Sequence, residues 1–310
     1  AIPNTLKQTL TPPLTHHKYS GVLEALNPAL LKYKGKLLCN CRMNNWSYWP
    51  AAVTEIRDPD NVYRGHNGLL HLDANYNITS GKILRRQGQS RRKSTYRGIE
   101  DGRLLKYQGK LYLVGTSSQY GEVGHNQMVL GEINLQSYNL DKVIVLHGYH
   151  EDEVQKNWLL WQSQEGDLLG IYSCQPFTIV KINPENGQVN FYKEQQLYKY
   201  LNLADLHGSC PPVPYKDGYL FIMHSKFWQG NKLIIVHYFM FMNSDYEISH
   251  WSPGFIFDKL QIEFATQMII EDDKLVVGVG INDHQAQLRE ISLKDIDLRP
   301  LESFFAISGN

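Results

Sequence analysis

The sequence has no long apolar run, no surplus of either charge, few cysteines and no nucleotide or hydrolase signature, and each shortage removes a class of function. No stretch reaches the ~18 apolar residues of a membrane span, and the opening AIPNTLKQTL lacks the charged and apolar regions of a signal peptide. The expectation is a soluble, cytoplasmic protein without a membrane span. Lys+Arg 31 against Asp+Glu 31 leaves no net charge, which argues against nucleic acid as a partner and for a small or neutral one. The four cysteines, Cys39, Cys41, Cys174 and Cys210, have no CxxC spacing. Cys39 and Cys41 stand two apart in a strand-like run, on one face, and all four read as reduced, buried thiols. GxGxxG, Walker, HExxH and GxSxG motifs are missing, so nucleotide-dependent folds, zincins and serine hydrolases are disfavoured, and no metal or cofactor is expected.

What is present is a repeat: an apolar strand, a tight turn with Gly or Asp, and a second apolar strand. Five copies occur, at 27–42, 101–118, 157–174, 210–225 and 266–283. Their turn residues Gly35, Gly109, Gly166, Gly218 and Asp273 lie 74, 57, 52 and 55 positions apart, so each interval holds the hairpin and roughly two further strands. The runs QMVLGEINL, KVIVLHGY, FTIVKI and KLIIVHYFMF supply strands between the copies. Four strands per unit and five units predict an all-β, five-bladed propeller over 1–310 as one domain, with no linker between parts. Short peripheral helices are expected in LEALNPALL and YLNLADL. The long first interval leaves room for an excursion around Arg85 to Arg97.

In a propeller the first strand of each blade borders the central channel, so residues at the strand starts gather at one mouth. Aligned on their turns, the copies place Asn27, Asp101, Lys156 with Asn157, Ser209 with Cys210, and Thr266 with Gln267 at equivalent positions. This polar ring on an apolar scaffold has the form of a small-molecule site, and Asn27, Glu100, Asn157 and Ser209 are the candidate sugar ligands. The aromatic share of 12% suits stacking on sugar rings and equally a β-rich core. Asp101, in YRGIEDGRLL, is the candidate proton donor or acceptor; the same residue type also serves in turns by bonding nearby amides. Strand alternation points Glu100 the opposite way, as a structural partner or hydroxyl ligand. Arg42, Arg103, Lys156, His207 and His224 bring cationic residue types to the mouth, where a phosphate would find paired guanidinium and ammonium donors. The run Arg85, Arg86, Arg91, Arg92 and Lys93 reads as a solvated loop or a grip for a diphosphate.

The ordered set NPALL with Arg42, IEDGR around Asp101, QKNWLL around Lys156 and Asn157, then GSCPPV and GYLFIMHS around His224, resembles glycoside hydrolase family 130 and the related glycosyltransferase family 108. That family holds five-bladed mannoside phosphorylases and hydrolases, and the resemblance spans roughly residues 25–285. It implies that Asp101, matching the Asp of the family's EDPR motif, is the catalytic acid of an inverting reaction whose proton travels through a sugar hydroxyl. Arg103 matches the Arg of that motif. Arg42, Lys156 and His224 fall where the phosphorylases hold phosphate, which argues against a hydrolase, because that would call for a second carboxylate to activate water. Gly102 departs from the family's Pro. The expected function is therefore inverting phosphorolysis of a β-mannoside or similar glycoside, with an oligosaccharide and inorganic phosphate as substrates. A glycosyltransferase using a sugar phosphate or nucleotide sugar is the alternative, ahead of a hydrolase and of a glycan-binding propeller without chemistry.

Overall fold

Each apolar hairpin of the repeat folds as the inner pair of strands of an antiparallel sheet, in a computed structural model that describes residues 1–16, 23–48, 53–56, 62–86, 96–120, 125–150, 153–197 and 206–304. Blade 1 comprises Glu24–Tyr33, Lys36–Asn44, Tyr63–Leu72 and Ile78–Ile83, and blade 2 comprises Glu100–Tyr107, Lys110–Ser117, Gln127–Asn134 and Asn139–Val145. Leu159–Gln162, Leu168–Cys174, Phe177–Ile182 and Val189–Gln195 form blade 3. Blade 4 is His207–Tyr215, Gly218–Gln229, Lys232–Met242 and Ile248–Trp251. Blade 5 takes Glu263–Glu271, Lys274–Ile281 and Gln285–Ser292 from late in the chain and its outermost strand, Thr5–Leu10, from the start. The inner strands neighbour one another in the order 1-2-3-4-5-1, so the five blades close a ring around a channel. The protein is an all-β propeller.

The turns explain why the hairpins form where they do. Lys34 and Gly35 in blade 1, and Gln108 and Gly109 in blade 2, all have positive φ in two-residue turns between paired strands. That is the backbone twist a tight hairpin requires, and glycine adopts it without strain. In blade 4 the turn is made by Lys216 and Asp217, and Gly218 already begins the next strand, pairing with Tyr215. Blade faces bury apolar side chains on both sides. Trp161, Phe177, Phe221 and Met240 pack between blades 3 and 4, and Cys210, Phe239, Met268 and Val277 between blades 4 and 5. The four cysteines are free and buried, with the Cys39 and Cys41 sulfurs 3.9 Å apart on one face.

Helix is scarcer than the sequence reading expects. Among the described residues it is limited to 3-10 turns at Leu293–Asp295 and Leu301–Phe304, and no helix is long and apolar enough to cross a membrane. LEALNPALL is strand. Pro28 would break a helix interior, and Asn27, with φ +48, bulges the strand there instead. Most of YLNLADL lies outside the described residues. The long first interval carries a small hairpin, Trp46–Tyr48 with Val53–Ile56. In addition, Arg85–Arg86 edges blade 2 and Tyr96–Arg97 pairs with Tyr63–Arg64. Arg91, Arg92 and Lys93 lie outside the described residues.

Candidate active site

The inner strands of four blades break their ladder near the first residues, between Leu26 and Ala29, Glu100 and Arg103, Gly208 and Cys210, and Ala265 and Gln267. Asn27, Asp101 and, at the head of blade 3, Asn157 have φ of +48, +50 and +61. Asn and Asp tolerate this left-handed region better than other residues with a side chain. The positions aligned in the sequence thus stand at the heads of the inner strands, where Asp101 bonds Asn27 and Arg103 bonds the Ser209 and Thr266 carbonyls.

Asp101 is the hub of that mouth. Its Oδ1 accepts a hydrogen bond from Asn27 Nδ2 at 2.9 Å and one from Arg42 Nη1 at 3.1 Å, which joins blades 1 and 2. Glu100 does not point away from it, as alternation predicts. The bulge cancels the alternation, so Glu100 Oε2 lies 3.7 Å from Arg42 Nη2 and 3.9 Å from Lys156 Nζ. Burial alone would raise the Asp101 pKa, but Arg42, Arg103, the Asn27 hydrogen bond and Lys156 outweigh it and hold the carboxyl below its ordinary value. A third carboxyl group stands nearby. Asp283, in the turn that follows Lys274–Ile281, interacts electrostatically with both Arg42 and Asp101. Burial raises its pKa, and the Asp101 charge adds to the rise against Arg42, His284 and Lys226. The argument against a hydrolase from a missing carboxylate therefore falls.

Arg103 and His224 sit differently from the open cationic rim that the sequence suggests. The Arg103 guanidinium is buried in the channel, where Nε donates to the carbonyls of Ser209 at 2.8 Å and Thr266 at 3.1 Å, and Nη2 to Gly208 at 3.4 Å. Nη1 lies 3.4 Å from the Asp101 carbonyl. Arg103 therefore ties blade 2 to blades 4 and 5. Gln267 repeats the tie, accepting from the Leu104 amide at 2.8 Å and donating to the Leu104 carbonyl at 2.7 Å. His224 is fully buried, shares a 2.9 Å hydrogen bond with the buried Ser209 hydroxyl and meets Phe264 edge-on. Burial, with His237, His207, Lys226 and Arg103 around it, pushes its pKa well below the ordinary value, so His224 is neutral at pH 7. His207 is exposed, its ring 5.6 Å from that of His224. A hollow of about 180 Å³ opens beside Lys156, Asn157, His207 and Gln175.

Two asparagines missed by the sequence reading hold the Asp101 backbone in place. Asn40 Nδ2 donates to the Gly102 carbonyl at 2.8 Å and to Asn67 Oδ1 at 3.0 Å, while Asn67 Nδ2 donates to the Ile99 carbonyl at 3.1 Å. These side chains fill the space beside Gly102, where an added Cβ would lie 2.6 Å from Asn67 Oδ1 and 2.9 Å from Asn40 Nδ2. A residue with a Cβ therefore fits at position 102 only if these side chains shift. The signals were legible in part: Asn40 is polar inside the apolar run KLLCNCR, and Asp283 ends the fifth repeat on the rim where Arg42 and His224 end the first and fourth.

No family model matches the chain, and no curated protein matches it in sequence. Solved structures do match in fold. A β-1,2-mannobiose phosphorylase from Listeria innocua superposes with a TM-score of 0.61 at 13% identity, covering 93% of this chain and 94% of its own. A glycosyl hydrolase from Bacteroides ovatus gives 0.65 at 12% identity, covering 97% and 93%. For a GDP-Man-dependent mannosyltransferase from Leishmania mexicana the values are 0.56, 13%, 87% and 85%. The fold is thus shared with a phosphorylase, a hydrolase and a transferase, and the choice among them belongs to the side chains at the mouth.

Proposed function

We propose that the channel mouth is the active site of an inverting mannoside phosphorylase. The observation that carries the reading is Asp101, a largely buried carboxylate held by Asn27 and Arg42 within a ring of basic groups from separate blades. Inorganic phosphate binds beside Arg42, Lys156 and His207, with the neutral His224 ring beneath. A phosphate oxygen forms the bond to C1 of the β-mannoside as the C1–O glycosidic bond breaks, and the proton of Asp101 reaches the departing oxygen through a sugar hydroxyl. Asn27, Glu100 and Asn157 hold sugar hydroxyls, whereas Arg103 and Ser209 position the site from within the channel.

Protonation is the step that the resting site makes unfavourable. Arg42 and Lys156, two of the cations that hold the Asp101 pKa down, are ones phosphate would neutralise, so phosphate binding raises that pKa and couples acid catalysis to occupancy. The depressed pKa of Asp101 also favours a second reading. An ionised Asp101 is a base toward an acceptor hydroxyl, as glycosyl transfer from a sugar phosphate or nucleotide sugar would use it. Incubation of the protein with a manno-oligosaccharide and phosphate, and separately with nucleotide sugars and the same acceptor, tests both. Sugar 1-phosphate release supports the first reading; transfer from a nucleotide sugar with no phosphorolysis rejects it for the second.

A further inference from the structure

One hairpin on the rim of the mouth runs longer than its counterparts in blades 3 and 5. Past His224 and His237, which pair across it, the strands Gly218–Gln229 and Lys232–Met242 stay in register through Ser225 and Val236, Phe227 and Ile234, and Trp228 and Leu233, to Gln229 and Lys232. At about 3.3 Å per residue the hairpin projects roughly 17 Å beyond His224. The equivalent turns of blades 3 and 5 close at once, between Cys174 and Phe177 and between Ile281 and Gln285. Side chains alternate along a strand, so His224, Lys226 and Trp228 share the face that carries Leu220 and Ile222 into the contact with blade 5. His224 on this face meets Phe264 of blade 5, and Lys226 lies within electrostatic reach of Asp283 in the blade 5 turn, so the face looks onto the end of blade 5 that carries Asp283.

Trp228 is 69% exposed on that face, whereas Trp46, Trp158, Trp161 and Trp251 are each 7% exposed or less. A chain that buries its other described tryptophans leaves this indole in water beside a polar site. A flat apolar ring with a donor N–H at its edge complements a hexopyranose, whose C–H face is apolar and whose rim carries hydroxyls. We propose that Trp228 is a specificity-determining residue, a stacking platform for a sugar of the glycan that lies beyond the one reacting at Asp101. Its Cα stands about 13 Å along the strand from that of His224, beyond the reach of a sugar seated against His224. The inference rests on the reading of the mouth as a glycan-processing site.

The test is calorimetric binding of β-1,2-mannobiose and β-1,2-mannotetraose to the Asp101→Asn protein, with Trp228 intact, as Trp228→Ala and as Trp228→Phe. With Trp228 the tetraose binds roughly 3- to 10-fold more tightly than the biose. Trp228→Ala removes that preference and leaves biose affinity within about twofold, and Trp228→Phe restores most of it. A tetraose preference unchanged in Trp228→Ala overturns the proposal, as does failure of both glycans to bind. Gel filtration that shows a dimer lost in Trp228→Ala also overturns it, because a second copy of the chain then covers the indole. Turnover by the unmodified protein separates the two readings. Binding that depends on Trp228 without any turnover keeps the platform and rejects the enzyme; turnover with a length preference indifferent to Trp228 does the reverse.

Discussion

Asp101 combines a left-handed backbone, a depressed pKa and three basic neighbours, and a substitution can separate these properties. Asparagine is at home at φ +50, so Asp101→Asn folds normally and still binds glycan, while kcat falls by about 10²- to 10⁴-fold; a melting curve beside steady-state kinetics checks both halves. Two buried histidines make the stability of the fold depend on pH. Burial lowers the pKa of His237 to about 3 and that of His224 well below 6.5, so both are neutral when folded and take protons in the unfolded chain below pH ~6.5. Their stabilising effect is complete above that pH and is lost as pH falls toward the folded values. His237→Gln keeps an acceptor for the Ala265 amide. The stability gap between wild type and this variant should shrink by about 1.4 kcal/mol for each pH unit below 6.5 in urea titrations. At this scale Asp101 and Arg42 were legible because their residue types stood at equivalent places in the repeat. Glu100 was not, because the alternation that would orient it fails at the bulge.

The strand that holds Asn27 against Asp101 depends on a close approach between blades 1 and 5. A Cβ on Gly280 would lie 1.9 Å from Asn27 Oδ1, and one on Gly278 equally close to the Pro28 carbonyl oxygen. Gly280→Ala therefore pushes Asn27 off Asp101, and kcat should drop by roughly 10²-fold, out of proportion to any fall in melting temperature. Gly35→Ala is the contrast. An added methyl there meets nothing within 4 Å, and the φ of +74 costs about 1 kcal/mol of stability with turnover unchanged. The hairpins were readable from apolar runs around Gly turns. The start of LEALNPALL was less so, since its apolar residues satisfy a helical spacing as well as an extended one, although Pro28 and the copy at 27–42 already favoured a strand.

Across the whole molecule the ring is held by its first strand, Thr5–Leu10 on blade 5, and by the Arg103 and Gln267 ties inside the channel. Arg103→Met leaves the carbonyls of Gly208, Ser209 and Thr266 without that donor, and urea unfolding should show a loss on the order of 3 kcal/mol with the m-value unchanged. The repeat count made the five blades visible in the sequence, whereas the inward turn of Arg103 onto the carbonyls of blades 4 and 5 arises only when distant strands meet. The central claim is that a carboxyl group and basic groups from different blades act together on one glycosidic bond. Phosphorus and proton NMR of β-1,2-mannobiose incubated with the protein and inorganic phosphate tests this directly. The account predicts α-mannose 1-phosphate, formed by the wild type and not by Asp101→Asn. Mannose without any sugar phosphate, or equal turnover by the two proteins, would contradict it.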